Sequence, residues 1–199
     1  MYTESMSKNV NGRTSEYEIN DIFLKRFSPR AMSGEAVAKD ELMTLFEAAR
    51  WAPSASNLQP WKFIYAFAGT EGFENMFSTL VDFNKDWAKN AGALIVVTSK
   101  KTRDSGKEHI THSFDAGAAW ENFALQGAEM GLVVHGMAGF DYDMAKVKLG
   151  IPEDYAIQMM IAVGKPGKVE DLPEAMRAGE KPNDRKPLSE IAFENKFPA

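Results

Sequence analysis

Two arginines separated by a serine form the first group of side chains that could bind a ligand. Arg26 and Arg30 stand four residues apart in the segment Arg26-Phe27-Ser28-Pro29-Arg30. A guanidinium offers a rigid fork of N–H donors and a serine adds a hydroxyl, so these side chains could chelate a phosphate group. The same residues could instead form a solvated basic loop, and the segment alone does not decide between the two.

A second group lies in residues 52–61, whose sequence is APSASNLQPW. Asn57 and Gln59 each carry a donor and an acceptor, as recognition of a polar heterocycle edge requires. Proline, serine and asparagine are also typical of a rigid turn between a helix and a strand. Both interpretations stay open for the candidates in this loop, which are Pro53, Ser54, Ala55, Ser56, Asn57 and Gln59.

A third candidate is the stretch His135-Gly136-Met137-Ala138-Gly139. Its small residues leave the backbone bare, so its N–H groups could approach the edge of a flat ligand. It lacks the glycine patterns of dinucleotide-binding and P-loop folds, so neither fold is predicted. Near the C-terminus, Arg185 adds a cation that could be solvated or folded back onto a phosphate.

The composition argues against several kinds of site. The 199 residues include no cysteine and three histidines, and the net charge is −5. Disulfides, thiolate nucleophiles and iron–sulfur clusters are therefore excluded, and a metal site is not expected. The negative charge argues against a nucleic-acid partner. No Ser/His/Asp or paired-carboxylate pattern stands out, so a bound cofactor is the expected source of any chemistry.

The spacing of apolar residues predicts the elements that carry these groups. Helices are expected over residues 16–27, 40–51, 73–83, 112–130 and 141–149. Strands are expected over residues 61–67, 93–98, 132–137 and 157–163. Residues 1–15 are polar, without a signal-peptide core, and are expected to be flexible. No apolar run is long enough to cross a membrane, so a cytoplasmic location is expected.

The helix expected over residues 112–130 is apolar on two sides. Ala116 and Phe123 lie on one side, and Gly117 and Trp120 lie on another. A sheet covers only one face of a helix, so the second face needs another partner, and a second subunit is the simplest choice.

The tail over residues 165–199 contains five of the nine prolines and ends in apolar side chains. It cannot form a core of its own. An extended arm wrapped over a neighbouring subunit would bury those side chains, whereas the alternative is a partly ordered tail.

Taken in order, these segments resemble the nitroreductase family of FMN-dependent flavoproteins. Arg26–Arg30 looks like the family's N-terminal phosphate motif, and Pro53–Trp61 looks like its P-S-x-x-N-x-Q-P-W signature. Asp115–Asn122 resembles its central dimer helix. Gly164–Pro166 and Arg185–Pro187 resemble the C-terminal segments of the family's pattern. The resemblance covers about residues 19–197.

The resemblance implies an α+β fold, a three-layer sandwich with a central, mostly antiparallel sheet, in an intertwined homodimer. Residues 16–199 would form a single domain, and the arm over residues 165–199 would wrap the partner subunit. Two FMN molecules would sit at the dimer interface.

It also implies which residues bind FMN. Arg26, Ser28, Arg30 and Arg185 would hold the phosphate and ribityl end. The residues from the other subunit would be Pro53, Ser54, Ser56 and Asn57. Residues 135–139 would lie along the isoalloxazine, with the N–H of Ala138 or Gly139 bonded to flavin N5. Phe27, Ala55 and Gln59 complete the expected cofactor-binding set. Many members have Gly-Gly where this chain has Ala138-Gly139, which puts the shape of the pocket in doubt.

The implied activity is a ping-pong reaction in which NAD(P)H donates hydride and an electron-poor acceptor, such as a nitroaromatic or a quinone, is then reduced. Flavin N5 would carry the chemistry, and no side chain is expected to be catalytic. The alternatives are a dehalogenase or flavin-fragmenting enzyme of the same fold, a flavin-binding protein without turnover, and a dimeric structural module. The acceptor, the choice between NADH and NADPH, and the pocket contacts of residues 70–112 are not predicted.

Overall fold

A short hairpin opens the part of the chain that the computed structural model describes, which is residues 9–198. Strand β1 (Asn9–Val10) pairs with β2 (Arg13–Thr14). The turn between them is Asn11-Gly12, with φ values of 55° and 76°. Two positive φ angles are what a two-residue hairpin turn requires, and Asn-Gly meets that requirement well. Residues 1–8 of the predicted flexible segment lie outside the described residues.

Over the described part of the chain, the main sheet has four strands, β3 (Trp61–Phe67), β4 (Ala93–Lys100), β5 (Val133–Met137) and β6 (Tyr155–Gly164). Their order is β3-β4-β6-β5, and every neighbouring pair is antiparallel. Residues 93–99 of the central strand β4 are all buried. Helices cover both faces of β4, which explains its continuous apolar run.

Within residues 9–198, seven helices accompany the sheet. They are α1 (Ile22–Lys25), α2 (Lys39–Arg50), α3 (Glu71–Ser78), α4 (Asp82–Ala88), α5 (His112–Glu129), α6 (Tyr142–Lys148) and α7 (Glu174–Arg177). Single 3-10 turns cover Ala55–Asn57, Val169–Asp171 and Leu188–Glu190.

The helices and the sheet form three layers with two hydrophobic cores. On one face, α2 and α5 pack with Leu42, Leu45 and Phe123 in a core that includes Ile95. On the other face, Phe73, Met76 and Trp87 from α3 and α4 join a core that includes Val96. The α+β sandwich with a central antiparallel sheet is therefore confirmed.

The single helix expected over residues 73–83 is wrong, because α3 ends at Ser78 and α4 begins at Asp82. Between them, Leu80 pairs with Phe140, and the N–H of Val81 donates to the carbonyl oxygen of Gly139 at 3.1 Å. A distant segment thus takes over the backbone hydrogen bonds that would have continued the helix, and local periodicity does not contain that information.

The helix expected over residues 16–27 is also wrong in extent, because only Ile22–Lys25 is helical. The side-chain oxygen of Asn20 accepts the N–H of Ile22 at 3.0 Å, at the start of the helix. Ile19 and Phe23, two of the apolar residues on which this helix was predicted, are exposed. Without burial of an apolar face, so short a segment has little to stabilise a longer helix.

Helix α5 agrees with its predicted bounds to within one residue. Ala116 and Phe123 are buried, as expected, whereas a Cβ added to Gly117 would meet no described heavy atom within 4 Å. Phe114 is 81% exposed one turn earlier. No described residue therefore covers the side of α5 around Gly117. No helix in residues 9–198 is long and apolar enough to cross a membrane.

Candidate functional site

A cavity of about 410 Å³ lies between the segment after α1 and the segment after α7. It is lined by Arg13, Arg26, Phe27, Ser28, Arg30, His135, Gly179, Lys181, Asn183 and Arg185. Six of these residues belong to the predicted cofactor-binding set, although they come from distant parts of the sequence. Because five of the ten lining residues are cationic, the chemistry of this wall suits an anion.

Arg26 reaches the cavity wall because α1 ends at Lys25 and Arg26 is extended. Its Nη1 donates to the hydroxyl of Ser28 at 3.4 Å, and its Nε lies 3.7 Å from a carboxylate oxygen of Glu121 on α5. The guanidinium is thus held near Ser28. Glu121 is half-exposed, so it offsets only part of the charge.

Arg30 approaches the same cavity. Its Cζ lies 5.7 Å from the centre of the Phe83 ring, a cation–π distance. Its Nε is buried and has no hydrogen-bond partner among the described residues. A buried N–H without a hydrogen-bond acceptor costs free energy, so the Nε–H of Arg30 is available to donate to a ligand.

Arg13 also lines this cavity, but its N–H donors are already hydrogen-bonded to backbone carbonyl groups. Its Nη1 donates to the carbonyl oxygens of Leu24 and Arg26 at 3.0 and 2.5 Å, and its Nε donates to that of Asn183 at 2.8 Å. Burial, followed by the charge of Arg185, lowers the pKa of Arg13. Arg13 therefore joins three segments of the cavity wall rather than offering free donors to a ligand.

His135 lines the cavity from the edge strand β5. Its Nδ1 hydrogen-bonds the carbonyl oxygen of Pro29 at 2.9 Å, and its ring packs against buried Trp87 with a centroid distance of 4.6 Å. Burial lowers the pKa of His135. These contacts hold the ring of His135 in place in the cavity wall.

None of the predicted residues 53–59 lines this cavity within the chain. They precede β3, the edge strand opposite β5, and three strand spacings of about 4.8 Å separate β3 from β5. The loop is strongly bent, with positive φ angles at Ser56, Asn57 and Gln59. The hydroxyl of Ser54 accepts the N–H of Gln59 at 3.0 Å and stabilises the bend.

A buried carboxylate supports this loop from inside the protein. Asp115, 3% exposed in the first turn of α5, accepts the N–H of Ala55 at 3.2 Å. The same oxygen lies 3.2 Å from Nε2 of buried His109 and 3.4 Å from the hydroxyl of Thr111. The side chains of Asp115 and Ser54 therefore fix the backbone of the loop, and Ser56 and Asn57 are left exposed at the bend.

Residues 136–139 follow His135 but do not line the cavity. The carbonyl oxygen of Gly139 accepts two hydrogen bonds, from the side-chain amide of Asn84 at 3.0 Å and from the N–H of Val81 at 3.1 Å. A Cβ at Gly139 would lie 2.8 Å from the Asn84 amide nitrogen. The peptide at Gly139 is thus held by the start of α4.

Sequence reasoning did not single out Arg13, Lys181, Glu180 or Asn84. Asn11-Gly12 is a hairpin signal that could have placed Arg13 in an ordered element. No local pattern marks the other three, because their roles depend on contacts with distant segments. Within residues 9–198, no three histidine or acidic side chains are grouped so that they could hold a metal ion. The cofactor-binding roles of the predicted residues stay predictions.

Comparisons with known proteins agree with one another. The sequence profile of the Nitroreductase family matches residues 24–76 and 67–165. A solved structure described as an oxidoreductase containing FMN is 41% identical, covers 96% of this chain and 98% of its own, and superposes with a TM-score of 0.92.

Two further relatives are more distant. A protein of Archaeoglobus fulgidus named a putative NADH dehydrogenase/NAD(P)H nitroreductase is 29% identical over 75% of this chain and 86% of its own. The structure of a putative nitroreductase in complex with FMN, from Desulfovibrio desulfuricans, is 23% identical, covers 91% of this chain and all of its own, and has a TM-score of 0.71. At this identity the likeness shows the fold.

Proposed function

This chain belongs to the nitroreductase family, and we propose that it is an FMN-dependent oxidoreductase. Its proposed electron donor is NAD(P)H, and its proposed acceptor is an electron-poor small molecule such as a nitroaromatic or a quinone. The donor leaves before the acceptor binds, in a ping-pong order. The observation that carries the proposal is the cationic cavity, whose lining brings Arg26, Ser28, Arg30 and Arg185 together.

The residues of this cavity fit the phosphate end of FMN. Arg26 and Ser28 are already within hydrogen-bond distance of each other, so their donors converge. Arg30 has a buried Nε without a partner among the described residues, which is the capacity an added phosphate oxygen would use. Two glutamates, Glu121 and Glu180, lie near these arginines but leave an excess of positive charge.

Bound FMN would supply the hydride chemistry that the side chains of this chain lack. The chain would bind and orient it. His135 is held neutral by burial at the edge of the cavity, so it adds no charge there. The carbonyl oxygen of Gly139, held by Asn84 and Val81, anchors the segment that carries the N–H groups of Ala138 and Gly139.

We propose a homodimer in which the loop over residues 53–59 reaches the cavity of the other subunit. Two features support this: the loop lies at the sheet edge opposite β5, and α5 has an uncovered side around Gly117. The exposed apolar side chains Ile191, Phe193 and Phe197 near the C-terminus would also gain burial from an arm wrapped over the partner.

The test begins with flavin content. Purified protein should carry flavin absorbance, or should retain it after incubation with FMN and removal of the free flavin. A protein that retains no flavin after this treatment would rule the proposal out. Stopped-flow absorbance should then show flavin reduction by NADH or NADPH without acceptor, followed by reoxidation on addition of menadione or a nitrofuran.

A matched variant with both Arg26 and Arg185 changed to alanine should lose flavin, whereas a variant at exposed Arg103 should not. Bound flavin that neither NADH nor NADPH reduces would instead favour a binding protein without turnover.

A further inference from the structure

Glu180 lies outside every motif in the sequence, yet its carboxylate is buried beside the cationic cavity. Its side chain is 3% exposed. Its Oε1 accepts two backbone N–H groups, from Arg30 at 2.5 Å and from Ala31 at 2.7 Å. Hydrogen bonds to an ionised acceptor are roughly twice as strong as neutral ones, so this carboxylate is a firm anchor for the backbone at Arg30.

The anchor joins the two walls of the cavity. Glu180 stands between Gly179 and Lys181, and both of those residues line the cavity. Arg30 lies in the opposite wall, next to Ala31. A second link, from Arg13 to Asn183, lies three residues further on. Glu180 and Arg13 therefore hold the segment that carries Arg185 against the segment that carries Arg26 and Arg30.

The contact of Glu180 with the Arg30 side chain is electrostatic. Oε2 lies 4.0 Å from Nη1 of Arg30, and Oε2 has no hydrogen-bond partner among the described residues. The carboxylate thus attracts the guanidinium without occupying its N–H donors. Those donors stay available to an anion in the cavity. Glu180 itself does not line the cavity, so it acts through Arg30.

We propose that Glu180 is a positioning residue for phosphate binding. It fixes the peptides of Arg30 and Ala31 and the direction of the Arg30 guanidinium, and so sets the affinity of the cavity for the phosphate group of FMN. The inference rests on the proposed function, since it presumes that FMN is the ligand. It assigns a role to a residue that no sequence motif marks and that only its contacts in the folded chain identify.

The test compares FMN with riboflavin, which has the same ring and ribityl chain but no phosphate. Flavin fluorescence is titrated with the full-length apoprotein as wild type and as Glu180→Ala, Glu180→Asp and Glu180→Gln. Glu180→Ala should weaken FMN binding about tenfold or more and change riboflavin binding by no more than about twofold. The exposed Glu174, changed to alanine, is the control and should alter neither affinity.

The two conservative variants separate geometry from charge. Glu180→Asp keeps the charge but retracts the carboxylate by one methylene, so it should weaken FMN binding as the alanine variant does. Glu180→Gln keeps an oxygen that can accept both N–H groups but loses the charge that attracts the Arg30 guanidinium, so it should weaken FMN binding only about threefold. If the alanine variant does not fold, the difference in FMN affinity between the aspartate and glutamine variants tests the inference by itself. Amide hydrogen exchange at Arg30 and Ala31 should quicken in the alanine and aspartate variants only.

Three outcomes would overturn the inference. One is unchanged FMN affinity in the alanine and aspartate variants. Another is an equal loss of FMN and riboflavin binding, which would indicate a general structural role. The third is unchanged amide exchange at Arg30 and Ala31, which would refute the anchor itself. Wild-type protein that binds neither flavin would contradict the proposed function instead, and the exchange measurement would still report on the anchor.

Discussion

The Nδ1 atom of His135 lies 2.9 Å from the carbonyl oxygen of Pro29, which joins the edge strand β5 to the segment that carries Arg26 and Arg30. A carbonyl oxygen can only accept, so Nδ1 must hold the proton and donate it. In the neutral ring, Nε2 is then unprotonated. The same contact therefore fixes the tautomer of the histidine and the position of one cavity wall.

The pH dependence of stability should reflect this histidine. Burial, reinforced by the positive charge of Arg30, lowers the pKa of His135, although the Pro29 hydrogen bond opposes the shift. The unfolded chain, with an imidazole pKa of about 6.5, binds the proton first as the pH falls, so stability is lost below about pH 6.5. His135→Gln should lose less stability over that window in thermal melts.

His112, whose pKa burial also lowers, still titrates in the His135→Gln variant. The acid sensitivity should therefore be reduced and not abolished. If wild type and His135→Gln lose thermal stability equally as the pH falls, His135 does not contribute to the acid sensitivity.

Arg26→Ala should weaken FMN binding. A charge-assisted hydrogen bond contributes roughly 1.5–3 kcal/mol, so the dissociation constant should rise about 10- to 100-fold. Titration of apoprotein with FMN measures it. Arg103→Ala is the matched control, since Arg103 is exposed in the loop after β4. An FMN affinity equal to that of the control would remove Arg26 from the proposed site.

Gly139→Ala should destabilise the protein by about 1–3 kcal/mol, because the added methyl has to push against its neighbours. Its Cβ would lie 2.8 Å from the amide nitrogen of Asn84 and 3.0 Å from a methyl of Val81. Combining it with Asn84→Ala should cost less than the sum of the two changes, since they share a contact. Urea unfolding measures the free energy of unfolding of each single variant and of the double variant.

Gly179→Ala is the control for this series, because its Cβ would meet only the Met176 carbonyl oxygen at 3.6 Å. A purely additive double variant would mean that the Asn84 amide does not limit the space at Gly139.

The parts of the structure that local patterns predicted are those whose hydrogen bonds and burial repeat regularly. Alternation along residues 61–67 predicted β3 with its observed bounds, and the apolar run at residues 93–98 predicted β4. The helix over residues 73–83 failed because Leu80 pairs with Phe140, sixty residues away in sequence (140 − 80). Long-range pairing has no periodic signature within a short window.

The same limit applies to the candidate site. Arg26, Ser28 and Arg30 are neighbours in sequence, so their spacing alone can suggest an anion site. Glu180 and Arg13 take part only because the fold brings distant segments to Arg30 and Asn183. Spacing along the chain cannot indicate such contacts, and only the hairpin turn at Asn11-Gly12 offers a clue to one of them.

Gly117→Glu should yield a folded monomer with little flavin. Apart from the adjoining backbone of α5 itself, no described atom lies within 4 Å of the added Cβ. Glutamate is also a better helix former than glycine by about 0.5–1 kcal/mol. A charged side chain at this point of α5 would block the close approach of a second subunit. Light scattering should give a mass near the chain's 22.1 kDa.

Gly117→Ala separates helix propensity from bulk and charge, and it should stay dimeric. A Gly117→Glu protein that remains a dimer at micromolar concentration would show that this side of α5 is not the interface.

The strongest test of a shared site is a heterodimer of two different variants, Arg26→Ala in one subunit and Asn57→Gly in the other. Asn57 has a φ of 54°, which glycine adopts freely, so this change removes the side chain without straining the loop. If each FMN contacts Arg26 of one subunit and Asn57 of the other, the heterodimer has one site with both defects and one intact site. It should bind one FMN per dimer with wild-type affinity.

Arg26 and Arg185 line the same cavity within one chain, so they provide the matched control. A heterodimer of Arg26→Ala with Arg185→Ala has one defect in each site and should bind no FMN with wild-type affinity. If Asn57 instead served the cavity of its own chain, the first heterodimer would behave like this control. Equilibrium titration of both heterodimers, purified through two different tags, therefore decides whether each FMN site is formed by residues of both subunits or by residues of one chain.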